Sequence, residues 1–296
     1  MTLTGPDGAT AAAQAWDATL TLDPDALPDP LPTPGPGDVI VCGGSRSGTT
    51  LLSAMLFQPP GCVAVMEPWD ALRLAPAELF ASLRAELRGG ELERGHLDVA
   101  SLRARGEVVT CTRCEARVPV AVDEDHVLAV KCPVLWRYLA RLPTTRFVVC
   151  LRDPREVVVS CMRSPGRLAE GVDYDVPFNR EMNVRLLDAT DDPAVRRVLL
   201  YDYVYERILP HLGRPEVFAV RYERWFTEPD VLLAELGAFL ETDLSRPLAR
   251  VREPRSRAPG FIESEAARLV QKHCRTAGAL GYAEGADCTV LRDRKA

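Results

Sequence analysis

Gly43-Gly44-Ser45-Arg46-Ser47-Gly48-Thr49-Thr50 lies between the apolar run Val39-Ile40-Val41-Cys42 and the helix-like Leu51-Leu52-Ser53-Ala54-Met55-Leu56. A strand, a glycine-rich turn and a helix start in that order build an anion cradle. The first N–H groups of a helix lack intrahelical partners and carry the positive end of its dipole, so a phosphate or sulfate docks there readily. A nucleoside-triphosphate loop needs G-x-x-x-x-G-K-[ST], with Lys on the terminal phosphates and the hydroxyl on magnesium. Gly43 and Gly48 keep that spacing and Thr50 keeps the hydroxyl, but Thr49 stands where Lys is required. The cation sits inside the loop instead, at Arg46, whose guanidinium can grip oxygens bidentately without a metal.

A second motif follows about a hundred residues later. Arg146-Phe147-Val148-Val149-Cys150-Leu151 reads as a buried strand, and it runs into Arg152-Asp153-Pro154-Arg155-Glu156-Val157-Val158-Val159-Ser160. Asp153 as N-cap, Pro154 at the first helical position and Glu156 as capping-box partner predict a helix starting here and stopping by Ser164-Pro165-Gly166. Arg152 then stands at the strand's carboxyl end, with Ser160 two turns into the helix.

The loop Arg46-Ser47-Gly48-Thr49-Thr50 resembles the 5′-phosphosulfate loop of sulfotransferases that use 3′-phosphoadenosine-5′-phosphosulfate (PAPS), and Arg152 with Ser160 resembles their 3′-phosphate motif. Arg221-Tyr222-Glu223-Arg224-Trp225-Phe226-Thr227-Glu228-Pro229 and the ending Leu280-Gly281-Tyr282 are similar to the same family, so the resemblance spans most of residues 38–283. It implies an enzyme moving a sulfonate group from PAPS to a hydroxyl of a small-molecule, sugar or lipid acceptor, with no metal required. Soluble bacterial, carbohydrate-type members are the nearest in kind.

Three more apolar runs end at charges: Cys62–Met66 at Glu67, Val127–Val130 at Lys131, and Val217–Val220 at Arg221. Near-continuous apolar strands separated by helical stretches predict an α/β fold, three layers with a central parallel sheet of P-loop-like type. Ligands of such sheets bind outside the strands' carboxyl ends, so these charges are expected to converge on one crevice.

The family's cytosolic branch carries a Lys-Thr-His segment where this chain has Lys131-Cys132-Pro133, so the histidine base is missing. Glu67 resembles the Glu that serves as base in carbohydrate-type and several bacterial members, and Lys131 would support the sulfonate or leaving oxygen. Arg46 would absorb charge on the leaving phosphate, with Ser47 donating near the bridging oxygen and Gly48, Thr49 and Thr50 completing the 5′ site. The loop Arg252–Gly260 resembles the family's basic closing loop only loosely, which makes Arg255 and Arg257 candidate 3′-phosphate ligands. Acceptor recognition falls to helical inserts near 70–105 and 165–200, the second containing Tyr174, Phe178, Asn179 and Arg180. Leu72, Leu79, Leu83 and Leu87, at helical spacing, read as core-facing.

All of the net charge of −6 sits in the first 45 residues, which hold six Asp and no Lys or Arg. With Pro24, Pro28, Pro30, Pro32, Pro34 and Pro36 close together, residues 1–37 read as a disordered leader ahead of a single domain, 38–296. A neutral body lacks the basic stripe of a nucleic-acid binder. No apolar run approaches the length needed to span a bilayer. The nine cysteines read as reduced core thiols of a cytoplasmic protein, with no metal site. Cys111-Thr112-Arg113-Cys114 is a single C-x-x-C, and a structural zinc site needs four ligands. A kinase or ATPase with an altered loop, or a non-catalytic zinc-knuckle protein, are the alternatives.

Overall fold

The computed structural model describes residues 22–94, 116–164, 166–174, 176–244 and 260–282. Its centre is a five-stranded sheet of β1 (Asp38–Gly43), β2 (Cys62–Met66), β5 (Val127–Lys131), β6 (Arg146–Leu151) and β7 (Val217–Arg221), in the order β2-β5-β1-β6-β7. Every pairing in it is parallel. Between β2 and β5 a small antiparallel pair intervenes, β3 (Glu91–Arg94) and β4 (Ala116–Pro119). The sequence reading of that insert as purely helical missed it, because Glu91-Leu92-Glu93-Arg94 is a short, charged run without a strand's apolar alternation.

Side chains alternate across the pleat and so build two cores. On one face Ile40, Cys42, Val63, Val65, Leu128, Val130, Phe147 and Val149 pack with α2 (Pro76–Arg88), α4 (Pro177–Ala189) and α5 (Pro193–Ile208). On the other, Val39, Val41, Ala64, Ala129, Val148 and Val220 meet α1 (Thr49–Leu56) and α7 (Pro229–Leu240). The result is the expected three-layer α/β/α sandwich. Leu79, Leu83 and Leu87 of α2 do face this core. Each fully buried Leu or Val contributes about 1.5–3 kcal/mol.

The helix after β6, α3 (Pro154–Met162), starts as its sequence dictates: Asp153 Oδ1 accepts from Arg155 N at 2.8 Å and Pro154 opens the first turn. The expected capping box does not form. The Asp153 N–H donates instead to Glu223 Oε1 at 2.9 Å, while Glu156 pairs with Arg152 at 3.5 Å. A carboxylate from the β7 end outcompetes the local one.

The Pro-rich stretch corrects the leader boundary. Residues 22–37 are docked: Leu31 is buried in the core, the Leu22 N–H donates to Leu72 O, and Arg141 donates to the carbonyls of Pro24, Leu27 and Pro28. The composition reading overlooked that proline-rich chain, which cannot build a core, can still lie on one built by others. Helices α6 (Arg224–Thr227), α8 (Gly260–His273) and α9 (Thr276–Ala279) complete the described chain.

Candidate active site

Parallel strands of one sheet end together, so β1, β2, β5 and β6 deliver the phosphate loop, Glu67, Lys131 and Arg152 to the same edge. The register pairs Gly43 with Cys150 and Met66 with Lys131, which sets the two motifs side by side.

The loop's backbone is under tight constraint. Gly43 and Gly48 have positive φ of 150° and 101°, and a Cβ on Gly48 would lie 2.2 Å from the Tyr222 ring. Arg46 is left-handed at φ 68°, and Glu67 at φ 47°, a conformation that costs a non-glycine residue about 1–3 kcal/mol. Surrounding bonds hold it: Ser47 N donates to Gly44 O at 3.1 Å, Arg152 Nη1 donates to Arg46 O at 3.1 Å, and Ser45 Oγ donates to Asp173 Oδ2 at 2.8 Å. Gly44 N reaches the Tyr205 hydroxyl at 3.2 Å, and that hydroxyl donates to Cys150 O at 2.7 Å.

Arg46 is exposed, and its Nε donates to Ser160 Oγ at 3.0 Å. Arg152 lies half-buried with its guanidinium 4.3 Å above the Tyr222 ring, and Tyr201 donates to its carbonyl at 2.9 Å. The buried ammonium of Lys131 pairs with Glu67 Oε1 and reaches Thr50 Oγ1 at 3.5 Å, so it ties the first turn of α1 to the end of β2. The structure therefore brings together Arg46, Gly48, Thr50, Glu67, Lys131, Arg152 and Ser160.

Ser47 and Thr49 are placed differently. Both are buried, and Ser47 sends its carbonyl to the Cys150 thiol at 3.0 Å while its N–H is spent on Gly44. Its hydroxyl is buried close to Gly43 and not open to solvent. Arg221 also departs from the convergence expected of strand ends. It is buried, stacks 4.6 Å from the Tyr282 ring and donates to Leu280 O, and so anchors the C-terminal turn. In the second insert Phe178 and Asn179 are buried in the core, and Tyr174 stays 60% exposed. Arg255 and Arg257 lie outside the described residues, as do Cys111 and Cys114. Among the described residues no group of His, Cys, Asp and Glu could hold a metal ion.

Two participants escaped the sequence reading. Tyr222 seals Gly48 and floors Arg152, a role signalled only by the glycine that needs the space. Asp173 sits buried against Ser45, and burial pushes its carboxyl above the usual value. Burial likewise pushes the Cys132 and Cys150 thiols up to about 12, so both stay protonated packing groups beside the site.

Similar folds occur in solved structures. The sulfotransferase domain of the Synechococcus PCC 7002 olefin synthase is 18% identical, with 83% of this chain and 96% of that one covered at a TM-score of 0.42. A sulfotransferase from Alicyclobacillus acidocaldarius is 15% identical over 84% and 99%, at 0.39. Mouse sulfotransferase SULT7A1, complexed with PAP, is 14% identical over 81% and 65%, at 0.34. Among curated proteins none matches the sequence. Membership rests on the family profile, which matches residues 36–246, well over half of the chain; the protein belongs to the sulfotransferase family.

Proposed function

We propose that the enzyme takes PAPS as donor at the edge formed by β1, β5 and β6 and passes its sulfonate to a hydroxyl of a small-molecule, sugar or lipid acceptor. The observation that carries this reading is the meeting of Arg46 and Ser160, which joins the two phosphate motifs at one mouth. The residues fit the donor: a side-chain-free Gly48, the unpaired N–H groups opening α1, and the Arg46 and Arg152 guanidiniums form a cradle for two phosphates. PAPS supplies the activated sulfonate and a bisphosphate leaving group.

Arg46 and the α1 N–H groups stabilise charge gathering on the 5′ side, where preorganised donors have most effect. Arg152 and Ser160 hold the 3′-phosphate and so fix the nucleotide's register. The Thr50 hydroxyl, exposed beside Lys131, adds a donor to the 5′ site. Glu67 takes the proton of the acceptor hydroxyl, and Lys131 orients that carboxylate and faces the departing oxygen. Ser47 and Thr49 act through loop shape, since their side chains are buried. Arg255 and Arg257 are the remaining candidate 3′-phosphate ligands. The protein works as a single domain, with residues 22–37 packed on it, in a bacterial cytoplasm, a compartment suited to the free thiols of Cys42, Cys62, Cys132, Cys150, Cys161 and Cys274. No helix among the described residues is long and apolar enough to cross a membrane.

Thermal stabilisation by 3′,5′-adenosine bisphosphate, with and without magnesium, tests the reading. A metal-independent rise that Arg46→Ala and Arg152→Ala each reduce is expected. A rise only with magnesium and ATP would point to a kinase or ATPase, and zinc in the purified protein without any nucleotide response would point to a zinc-knuckle binder.

A further inference from the structure

Asp173 lies on the segment that leads into α4, far in sequence from the phosphate loop, yet its carboxylate is built into that loop. Oδ2 accepts from Ser45 Oγ at 2.8 Å and Oδ1 accepts from the Tyr174 N–H at 2.8 Å. Its backbone is clamped in turn by Asn183 of α4: Asp173 N donates to Asn183 Oδ1 at 2.9 Å, and Asn183 Nδ2 donates to Asp173 O at 3.0 Å. Asp173 and Asn183 are 4% and 3% exposed, so neither bond competes with bulk water. The only neighbour this carboxylate reaches in the loop is the residue immediately before Arg46, the left-handed one.

We propose that Asp173 is a positioning residue for the donor site: by holding Ser45 it keeps Arg46 in the left-handed backbone from which the guanidinium reaches the mouth. Three bonds brace this conformation, from Asp173 before Arg46, from Arg152 at its carbonyl, and from the Gly44 carbonyl after it. An L residue at φ 68° relaxes to negative φ when its bracing is lost, since the left-handed region is sterically disfavoured. Removal of the Asp173 brace therefore swings the Arg46 side chain away from Ser160. The segment entering α4 and the anion loop become one rigid unit, with Asn183 as its anchor. Asp173 is distinct from Glu67 in role: its oxygens are spent on Ser45 and Tyr174, while Glu67 keeps a side chain about a third exposed at the mouth.

This inference rests on the reading of Arg46 as a 5′-phosphosulfate ligand, and the experiment separates the two. Calorimetric titration of 3′,5′-adenosine bisphosphate is compared among wild type, Ser45→Ala, Asp173→Ala, Asp173→Asn and Arg46→Ala, with the melting temperature of each nucleotide-free protein. Ser45→Ala and Asp173→Ala are expected to weaken binding about tenfold, the size of one lost hydrogen bond. Asp173→Asn, which still meets both Ser45 Oγ and the Tyr174 N–H, restores affinity to within about threefold. In an Arg46→Ala background the Asp173→Ala effect disappears, an outcome that a general packing defect cannot produce. Should Asp173→Ala not fold, Ser45→Ala carries the test, because it leaves the Asn183 clamp intact. Wild-type affinity in Ser45→Ala, an Asn variant as weak as the Ala variant, or an undiminished Asp173→Ala effect without Arg46 would overturn the proposal. Failure of wild type itself to bind the bisphosphate would overturn the donor-site reading beneath it.

Discussion

Arg46 and Ser160, 114 residues apart in sequence, are joined by a hydrogen bond of 3.0 Å from Nε to Oγ. The parallel pairing of β1 with β6, which sets Gly43 beside Cys150, makes this contact possible. Nucleotide phosphates bound at both motifs, as proposed, would replace this bond, so that Ser160 would exchange a guanidinium donor for a phosphate acceptor and turn its own hydroxyl proton outward.

Ser160→Ala is accordingly expected to weaken 3′,5′-adenosine bisphosphate by about three- to tenfold, the effect of a single hydrogen bond. Adenosine 5′-monophosphate, which lacks the 3′ group, should bind wild type and variant alike. If titration showed both nucleotides losing equally, Ser160 would be acting on Arg46 and not on the 3′-phosphate.

The Lys131–Glu67 pair is asymmetric, with side-chain exposures of 3% and 30%. Glu67→Ala leaves a buried ammonium without its carboxylate, a loss of about 3–5 kcal/mol, whereas Lys131→Met leaves a carboxylate that water can reach. The melting temperature should therefore fall further for Glu67→Ala than for Lys131→Met. Glu67→Gln keeps an oxygen for Lys131, so it should fold and bind the bisphosphate while turnover drops about a hundredfold or more. Undiminished turnover in that variant removes Glu67 from the role of base.

Much of this was legible in the sequence because it is local. Cys62–Met66 and Phe147–Leu151 are continuous apolar runs, and each forms a strand, the second starting at Arg146. The two phosphate motifs are legible for the same reason, since a strand end, a turn and a helix start are contiguous. Asp173, Tyr222 and the docked proline stretch are not, because their partners are Ser45, Gly48 and Arg141, which only folding brings near. Ser47 shows the converse: a motif names the residue, but only the turn's geometry decides that its side chain is buried.

Gly48 joins two constraints that a single substitution violates together. At φ 101° any L side chain is strained, and its Cβ would overlap the Tyr222 ring that supports Arg152. Gly48→Ala should abolish detectable bisphosphate binding and lower stability by about 2 kcal/mol or more. In a Tyr222→Ala background the steric part is relieved but the backbone part stays, so chemical denaturation should show partial recovery only. Complete recovery would mean that φ at this position carries no strain.

Asp173 gives the stability curve a definite sign. Burial raises its carboxyl above the ordinary value of 3.8, so the neutral form is favoured in the folded state. A raised folded value makes its contribution fully present below about pH 4 and progressively lost as pH climbs through the folded value. Asp173→Asn cannot ionise, so its stability relative to wild type should improve as pH rises from about 4 to 8. Urea denaturation at four or five pH values measures this; parallel curves for the two proteins would show that the native fold does not disfavour the charged carboxylate.

The docked proline stretch gives the last test. Arg141 donates to Pro24 O at 2.5 Å, to Leu27 O at 2.9 Å and to Pro28 O at 2.8 Å, using one guanidinium to satisfy three carbonyls of a segment that has little hydrogen bonding of its own. Each such bond is worth roughly 0.5–1.5 kcal/mol, and the opening of a local segment scales with their sum. Arg141→Ala should therefore speed proteolytic cleavage between residues 22 and 30 by about tenfold or more. Bisphosphate binding should persist, because Pro24 and Leu27 lie on no element that carries the phosphate loop. Cleavage at the wild-type rate would mean that Leu31 in the core and the Leu22 bond to Leu72 hold the stretch without Arg141.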